Sequence, residues 1–379
     1  MPNPLDALDR VIDKTVAPNA ARVDRDATFP GQSIDALAGA GLLSLTSAID
    51  AGGAGLGLAE AAEVIERLAR ACGSTAMVVL MHYAAVSIVE AYGSKEVRGE
   101  IGDGQHLTSL AFSESGSRSH FWAPLGTARP ATKTGDTVRL DASKSWVTSA
   151  GEADSYVWSS RPVSAAGPMT LWLVPADASR LSQPGDFDGI GLRGNASTPV
   201  VANGTTIPAD NRLGDDGAGL DIALATALPW FLVLSTAFSL GLMEAVTAET
   251  GAHLTTTRLE HLGEPLIAQP RIRADYASMR IRTDGVRAFL ADTLAALGSG
   301  REDATLRVLE CKAVGAEAAI DVTDLAMKVC GGAAFRKELG IERRFRDARA
   351  ARVMAPTTDA LQDFVGRAVS GLPLLGPVA

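Results

Sequence analysis

Apolar residues recur at three- and four-residue intervals from Leu58 to Cys72 and again from Thr75 to Tyr92, which predicts two Ala-rich helices. Gly52, Gly53, Gly55, Gly57 and Gly73 punctuate them. From about His106 the period shortens. β-Branched and aromatic runs at Leu107–Ser113, Thr137–Leu140, Ser145–Ser149, Ser155–Ser160, Met169–Val174 and around Val200–Ile207 predict strands separated by Gly, Pro and Asp. After Gly219 helical spacing returns in the long segments Leu220–Leu254, Arg271–Leu297 and Ala304–Cys330. The pattern therefore predicts an α+β multidomain chain: helices over residues 1–105, a β-domain over 106–216, and helices over 217–379. Without strand-helix alternation, a doubly wound nucleotide-binding sheet is not expected.

Composition narrows the function classes. Of 379 residues 46% are hydrophobic, and 35 basic against 44 acidic side chains leave a net charge of −9, the balance of a soluble globular chain. No block of Lys or Arg offers a footprint for nucleic acid or anionic lipid. Cys72, Cys311 and Cys330 are too widely spaced for a CxxC motif or a disulfide framework, and five scattered histidines give no metal pair, so no metal site is expected. The first residues lack the apolar run of a signal peptide, which leads to a cytoplasmic expectation. Ile222–Met243 carries no charge and is long enough to span a bilayer. Its flanks are Asp221 and Glu244, and it contains Pro229 and the hydroxyl side chains of Ser235, Thr236 and Ser239, so a buried helix is expected instead of a membrane span.

Several short patterns carry possible chemistry. GGAGLGL at Gly52–Leu58 does not match GxGxxG, and SESGSRSH at Ser113–His120 lacks the GxSxG spacing of a nucleophile elbow. Ser113–Ser119 is either a plain polar turn or a cradle for a planar polar ligand or a phosphate. Trp146 and Thr148, two apart on a predicted strand, are expected on one side, where they either join the core or flank a flat heterocycle. Gly331-Gly332 either stops a helix or admits a ligand close to the backbone. His82, alone in the apolar helical run MVVLMHYAAV, is either a satisfied core residue or a proton donor.

Three motifs in order give these pieces a context: LAFSESGSRS (Leu110–Ser119), KSWVTSAGEAD (Lys144–Asp154) and VCGGAAFRKELGIERRFRDARAARVMAPTTDAL (Val329–Leu361). Together they resemble the flavin loop, the KxWITNGxxAD strand and the GG-to-RDAR segment of the acyl-CoA dehydrogenase superfamily. The resemblance implies an N-terminal helical domain, a central β-barrel or sandwich, and a C-terminal four-helix bundle, assembled as a homodimer or homotetramer. It also implies FAD, or a reduced flavin supplied by a flavin reductase. By position Leu110, Phe112, Ser113 and Ser119 would line the flavin and its pyrophosphate, with Trp146 and Thr148 along the ring. Gly331, Gly332, Thr357 and Asp359 would meet the FAD from the cofactor-clasping turns, and Arg258 would reach a neighbouring subunit's pyrophosphate. The family's RxxFG is one residue longer here, Arg258 to Gly263, and Gln269 stands where a downstream Gln is expected.

Departures from the family pattern bear on the reaction. The family's catalytic Glu precedes Gly-Thr in a YEGT motif, and this chain has Ala355 there; the alternative family position falls on Phe231. The Asp and Arg that serve the CoA-ester end are replaced near Leu228, Pro229, Trp230 and Leu232. Trp230, Phe231, Met354 and Ala355 would then form an apolar substrate surface. The favoured expectation is a flavin monooxygenase-type reaction with O2 on a small hydrophobic or aromatic non-CoA substrate, His82 supplying a proton. One alternative is an acyl-CoA dehydrogenase with its base displaced to Glu114 or His82; another is a non-catalytic flavin-binding scaffold.

Overall fold

The computed structural model describes residues 3–117 and 120–376, so Ser119 lies outside the described residues. Contacts divide the chain into two compact units, one of residues 3–64, 77–189 and 193–231, the other of 65–76, 190–192 and 232–376. This division differs from the three consecutive segments expected. Residues 65–76 apart, the helices before residue 105 share a unit with the strands after it, joined where Thr108 N–H donates to His82 Nδ1 (3.2 Å).

In the first unit, α1 (Leu5–Val11) and α2 (Ala17–Asp26) are joined by one π-turn and followed by α3 (Gly31–Gly39). Next come α4 (Leu58–Ala71), which belongs to this unit as far as Val64, α5 (Gly73–Tyr92), which belongs to it from Met77, and α6 (Lys95–Gly102), capped by Ser94 Oγ, which accepts from Val97 N–H (3.4 Å). α5 has almost no polar side and is buried nearly throughout, as a central helix must be. Eight strands follow: β1 (Thr108–Ala111), β2 (Thr127–Pro130), β3 (Thr137–Val147), β4 (Ser155–Ser160), β5 (Thr170–Pro175), β6 (Leu181–Ser182), β7 (Thr198–Pro208) and β8 (Arg212–Leu213). They form two four-stranded sheets, ordered β1-β4-β5-β8 and β2-β3-β7-β6. β1 runs parallel to β4, and every other pairing in the two sheets is antiparallel. β4 is buried at every position, which explains its continuous run around Tyr156, Val157 and Trp158, whereas β7 alternates buried and exposed positions.

A single helix was expected over Leu220–Leu254. The structure has two, α7 (Gly219–Ala225) and α8 (Ala227–Thr256), broken at Thr226 (φ −114°, ψ −80°). Pro229 explains the break, because it has no N–H to return to the Ala225 carbonyl. The second unit takes α8 from Leu232 onward and adds the hairpin β9 (Arg258–Leu259) and β10 (Glu264–Pro265), then α9 (Pro270–Ser299), α10 (Ala304–Cys330), α11 (Ile341–Val353) and α12 (Thr358–Val369). A Cβ at Gly241 would lie 2.3 Å from the Glu66 carbonyl oxygen, so only glycine permits that approach. Arg287 bridges Glu66 (3.0 Å) and Glu244 (2.7 Å) in the same unit. α5 and the α7–α8 segment are long and apolar enough to cross a membrane by length and composition, and both are mostly buried inside the protein, as core helices are.

Candidate functional site

The loop after β1 is stitched onto β3. Ser115 N–H donates to the Ser143 carbonyl (3.2 Å) and Ser145 N–H to the Ser113 carbonyl (2.9 Å), while Gly116 turns the chain at φ +89°. Beneath it lies a buried ion pair. Lys144, fully buried on β3, donates through Nζ to Glu114 Oε1 (2.6 Å), the Ser159 carbonyl (2.7 Å) and Ser159 Oγ (2.8 Å). Its ammonium also sits 5.1 Å from the centre of the Trp158 ring. Glu114 accepts from the N–H groups of Leu125 (2.5 Å) and Gly126 (3.0 Å) as well. Burial pushes the Lys144 amine down to about 8, while the Glu114 carboxylate pulls it back up. Both oxygens of Glu114 are thus committed to holding the loop. The expectation of Glu114 as a displaced base is corrected accordingly.

Trp146 and Thr148 do not share a side. The β3–β7 register shifts between Lys144 and Val147, and Trp146 adopts a left-handed backbone (φ +57°). The bulge interrupts the two-residue alternation, leaving Trp146 71% exposed and Thr148 only 4% exposed in the turn beyond the strand. Ser149 is left-handed too (φ +59°), and Ser149 N–H donates to the Asn195 carbonyl (2.9 Å). A bulky residue at positive φ is held at a cost of order 1–3 kcal/mol and marks places where the surroundings fix an unusual presentation. An aromatic face held in the open beside the Ser113 loop fits a planar heterocycle. Phe112 stacks on Phe121 with ring centres 6.5 Å apart, and Leu110 is buried on β1. Trp146→Gly should therefore leave the flavin-free protein no less stable, by relieving the backbone, yet lower the flavin retained on purification. Thermal melts and flavin-to-protein ratios check both halves.

His82 is fully buried on α5. Its Nδ1 accepts from Thr108 N–H (3.2 Å), which makes Nε2 the protonated nitrogen that donates to the Leu43 carbonyl (3.0 Å). Burial pushes its pKa down to about 4 from 6.5, with the neighbouring His106 also lowering it. Both nitrogens serve the backbone, so the expectation of a proton donor gives way to a structural tie between the 42–45 segment and β1. The folded-state pKa lies below the unfolded value, so protons bind the unfolded chain first. Stability should fall by roughly 3 kcal/mol as pH drops from 6.5 to 4. Urea unfolding at several pH values checks this, and His82→Leu should flatten that dependence.

In the second unit α10 ends at Gly331, whose backbone (φ +54°, ψ −135°) suits glycine almost alone. A Cβ at Gly331 or Gly332 would meet nothing within 4 Å, so the backbone has open space beside it. A larger residue at Gly331 is opposed by its backbone conformation, not by crowding within this chain. Thr357 caps α12, its Oγ1 accepting from Ala360 N–H (3.4 Å), and Asp359 is exposed in the first turn. Met354 and Ala355 are half-buried in the turn between α11 and α12. Lys312 on α10, which the sequence reading passed over, donates to the carbonyls of Ala351 (3.0 Å), Met354 (3.0 Å) and Pro356 (2.8 Å). Burial pushes its amine down to about 7. Its one sequence signal was a lysine on the apolar face marked by Val308, Cys311 and Gly315. Arg258 crosses its own hairpin to the Gly263 carbonyl (2.5 Å), and Gln269 occupies the N-cap position of α9 without a side-chain cap bond. On α8, Phe231 is buried and Trp230 half-buried.

The structure thus gathers Ser113, Glu114, Lys144 and Trp146 around one stitched loop, and Met354, Ala355 and Thr357 around one lysine-held turn. Two features fit FAD, each taken by itself: the exposed aromatic wall beside the polar loop, and the Gly331-Gly332 backbone with open space beside it.

Residues 5–102 match the pattern of the acyl-CoA dehydrogenase N-terminal domain, and residues 217–370 that of the acyl-CoA dehydrogenase C-terminal domain. The human mitochondrial short-chain specific acyl-CoA dehydrogenase is 27% identical over 355 residues, 92% of this chain and 84% of that protein. Cyclohex-1-ene-1-carbonyl-CoA dehydrogenase of Geobacter metallireducens is 25% identical over 373 residues, 96% of each chain. The butyryl-CoA dehydrogenase structure from Megasphaera elsdenii superposes with a TM-score of 0.90 at 20% identity, covering 98% of both chains, a likeness of fold.

Proposed function

The chain belongs to the acyl-CoA dehydrogenase superfamily, and from that premise we propose that it is an FAD-dependent oxidoreductase acting on an acyl thioester, without a carboxylate at either usual base position. The observation carrying this reading is the fixed turn Met354–Thr357: Lys312 holds it on three carbonyls, with Ala355 at the position where the family pattern places its acidic side chain. The relatives matched along nearly the whole chain are named for acyl-CoA substrates, which supports a thioester.

When bound, FAD supplies the hydride acceptor. Trp146 and the Ser113 loop would hold its ring system, with the Glu114–Lys144 pair fixing both from below. Gly331 and Gly332 would let backbone approach the cofactor, and Arg258 would serve a neighbouring copy's cofactor in a homo-oligomer. A thioester must lose its α-proton as hydride leaves the β-carbon, and a positioned base contributes roughly 10²–10⁴-fold to such a step. Ala355 and Phe231 have no lone pair to offer, while Glu114 and His82 have theirs committed to backbone and lysine. The wild-type chain should therefore bind acyl thioesters and oxidise them slowly.

A second reading is an oxygen-using flavin reaction on a small hydrophobic substrate, which needs no α-proton base. The uncharged stretch Ile222–Met243, with Trp230 and Phe231, favours it. His82 has no part in that reading. Anaerobic mixing with acyl-CoAs separates the two: flavin bleaching supports the thioester reading. Rapid oxygen consumption by supplied reduced flavin, with no response to any acyl-CoA, supports the other.

A further inference from the structure

We propose that Lys312 is a positioning residue that holds the turn Met354–Thr357 from behind and fixes the aim of residue 355. The proposal deepens the thioester reading and rests on it only where substrate is used below. The geometry argues for it in three steps. α11 ends at Val353, and past the Ala350 carbonyl, which accepts from Met354 N–H, its last carbonyls have no intrahelical partner, at the end of the helix that attracts a cation. Lys312 reaches that end from the middle of α10, almost completely buried, and an ammonium has three N–H groups for the three carbonyls of Ala351, Met354 and Pro356. Two of these acceptors flank residue 355, so its Cα cannot swing away without breaking a bond.

Ala355 brings no side-chain hydrogen bond and Pro356 no N–H; Lys312 holds the turn on one side, and Met354 N–H to the Ala350 carbonyl (3.0 Å) and the Thr357 cap of α12 hold its two ends. The consequence reaches the chemistry. Whatever side chain stands at 355 points where this lysine allows, and a misplacement of about 1 Å costs roughly a hundredfold in rate.

Hydrogen–deuterium exchange on the full FAD-loaded chain tests this without substrate. In Lys312→Met the amides of residues 351–355 and 357 should exchange at least about tenfold faster, while those of α9 and β3 keep wild-type rates. If Lys312→Met does not fold, Lys312→Arg is read instead. Its planar fork keeps the charge but cannot meet three diverging carbonyls, so the same segment should again exchange faster. A second arm adds Lys312→Met to Ala355→Glu, where the acyl-CoA bleaching rate should drop roughly a hundredfold with flavin still bound. Failure of the thioester reading would remove only this second arm, and the exchange result then decides alone. Wild-type exchange at 351–355 and 357, or acceleration spread evenly through the helices of the second unit, overturns the proposal.

Discussion

Ala355→Glu should speed anaerobic flavin bleaching by an acyl-CoA roughly 10²–10⁴-fold over the wild-type chain. The substitution places a carboxylate on a turn that is firmly held: three carbonyls on Lys312 and the Thr357 cap leading into α12. Residue 355 is half-buried, so a longer side chain has somewhere to go without displacing core. Partial burial would also raise the new carboxyl's pKa, which suits a base working near neutrality. The variant and wild type need to be compared at equal flavin content, because the effect belongs to proton removal and not to cofactor binding. Equal rates in two well-folded, flavin-loaded proteins would mean that proton transfer is not what limits this chain.

Lys144→Met should destabilise the first unit by about 3–5 kcal/mol, the magnitude found when one partner of a buried ion pair is removed. Glu114 would keep two backbone N–H donors but lose its cation in a site closed to water, and the Ser159 carbonyl and hydroxyl would lose a donor as well. The damage should extend to the loop carrying Ser113, so flavin retention falls together with stability. Glu114→Leu combined with Lys144→Met should cost less than the sum of the single changes, because no unpaired charge stays buried. Urea unfolding of the three variants provides the cycle, and strictly additive effects would show that the pair is not coupled.

Much of this organisation is legible in the sequence where side chains alone decide it. α10 occupies the expected span Ala304–Cys330, because its apolar positions keep helical spacing up to a glycine pair. The superfamily, the mixed fold and the turns at 113 and 331 follow from short motifs of the same kind. Backbone-determined features escape such reading. The apolar pattern divides β3 into two runs because Asp141, Ser143 and Lys144 interrupt it, yet its ladder to β7 runs on through main-chain bonds that ignore side-chain type. The bulge that turns Trp146 outward has no composition signal, since its only marker is a left-handed backbone at a tryptophan. In sequence His82 and Lys312 stand on apolar helical faces and Lys144 stands between two serines, and none of the three settings shows what holds the side chain. Their partners come from distant segments: Leu43 for His82, Glu114 and Ser159 for Lys144, Ala351 and Pro356 for Lys312. Only their assembly shows that each is tied to neighbouring protein groups.

Central to the proposed function is an acyl-thioester substrate met by a chain with no carboxylate at either usual base position. Stopped-flow mixing of the anaerobic, FAD-loaded protein with short, medium and cyclic acyl-CoAs, followed through the flavin spectrum, tests it most directly. The result expected is a prompt spectral perturbation from binding, followed by bleaching at least about a hundredfold slower than in Ala355→Glu. Wild-type bleaching as fast as in that variant, or a flavin spectrum unmoved by every acyl-CoA, would contradict it.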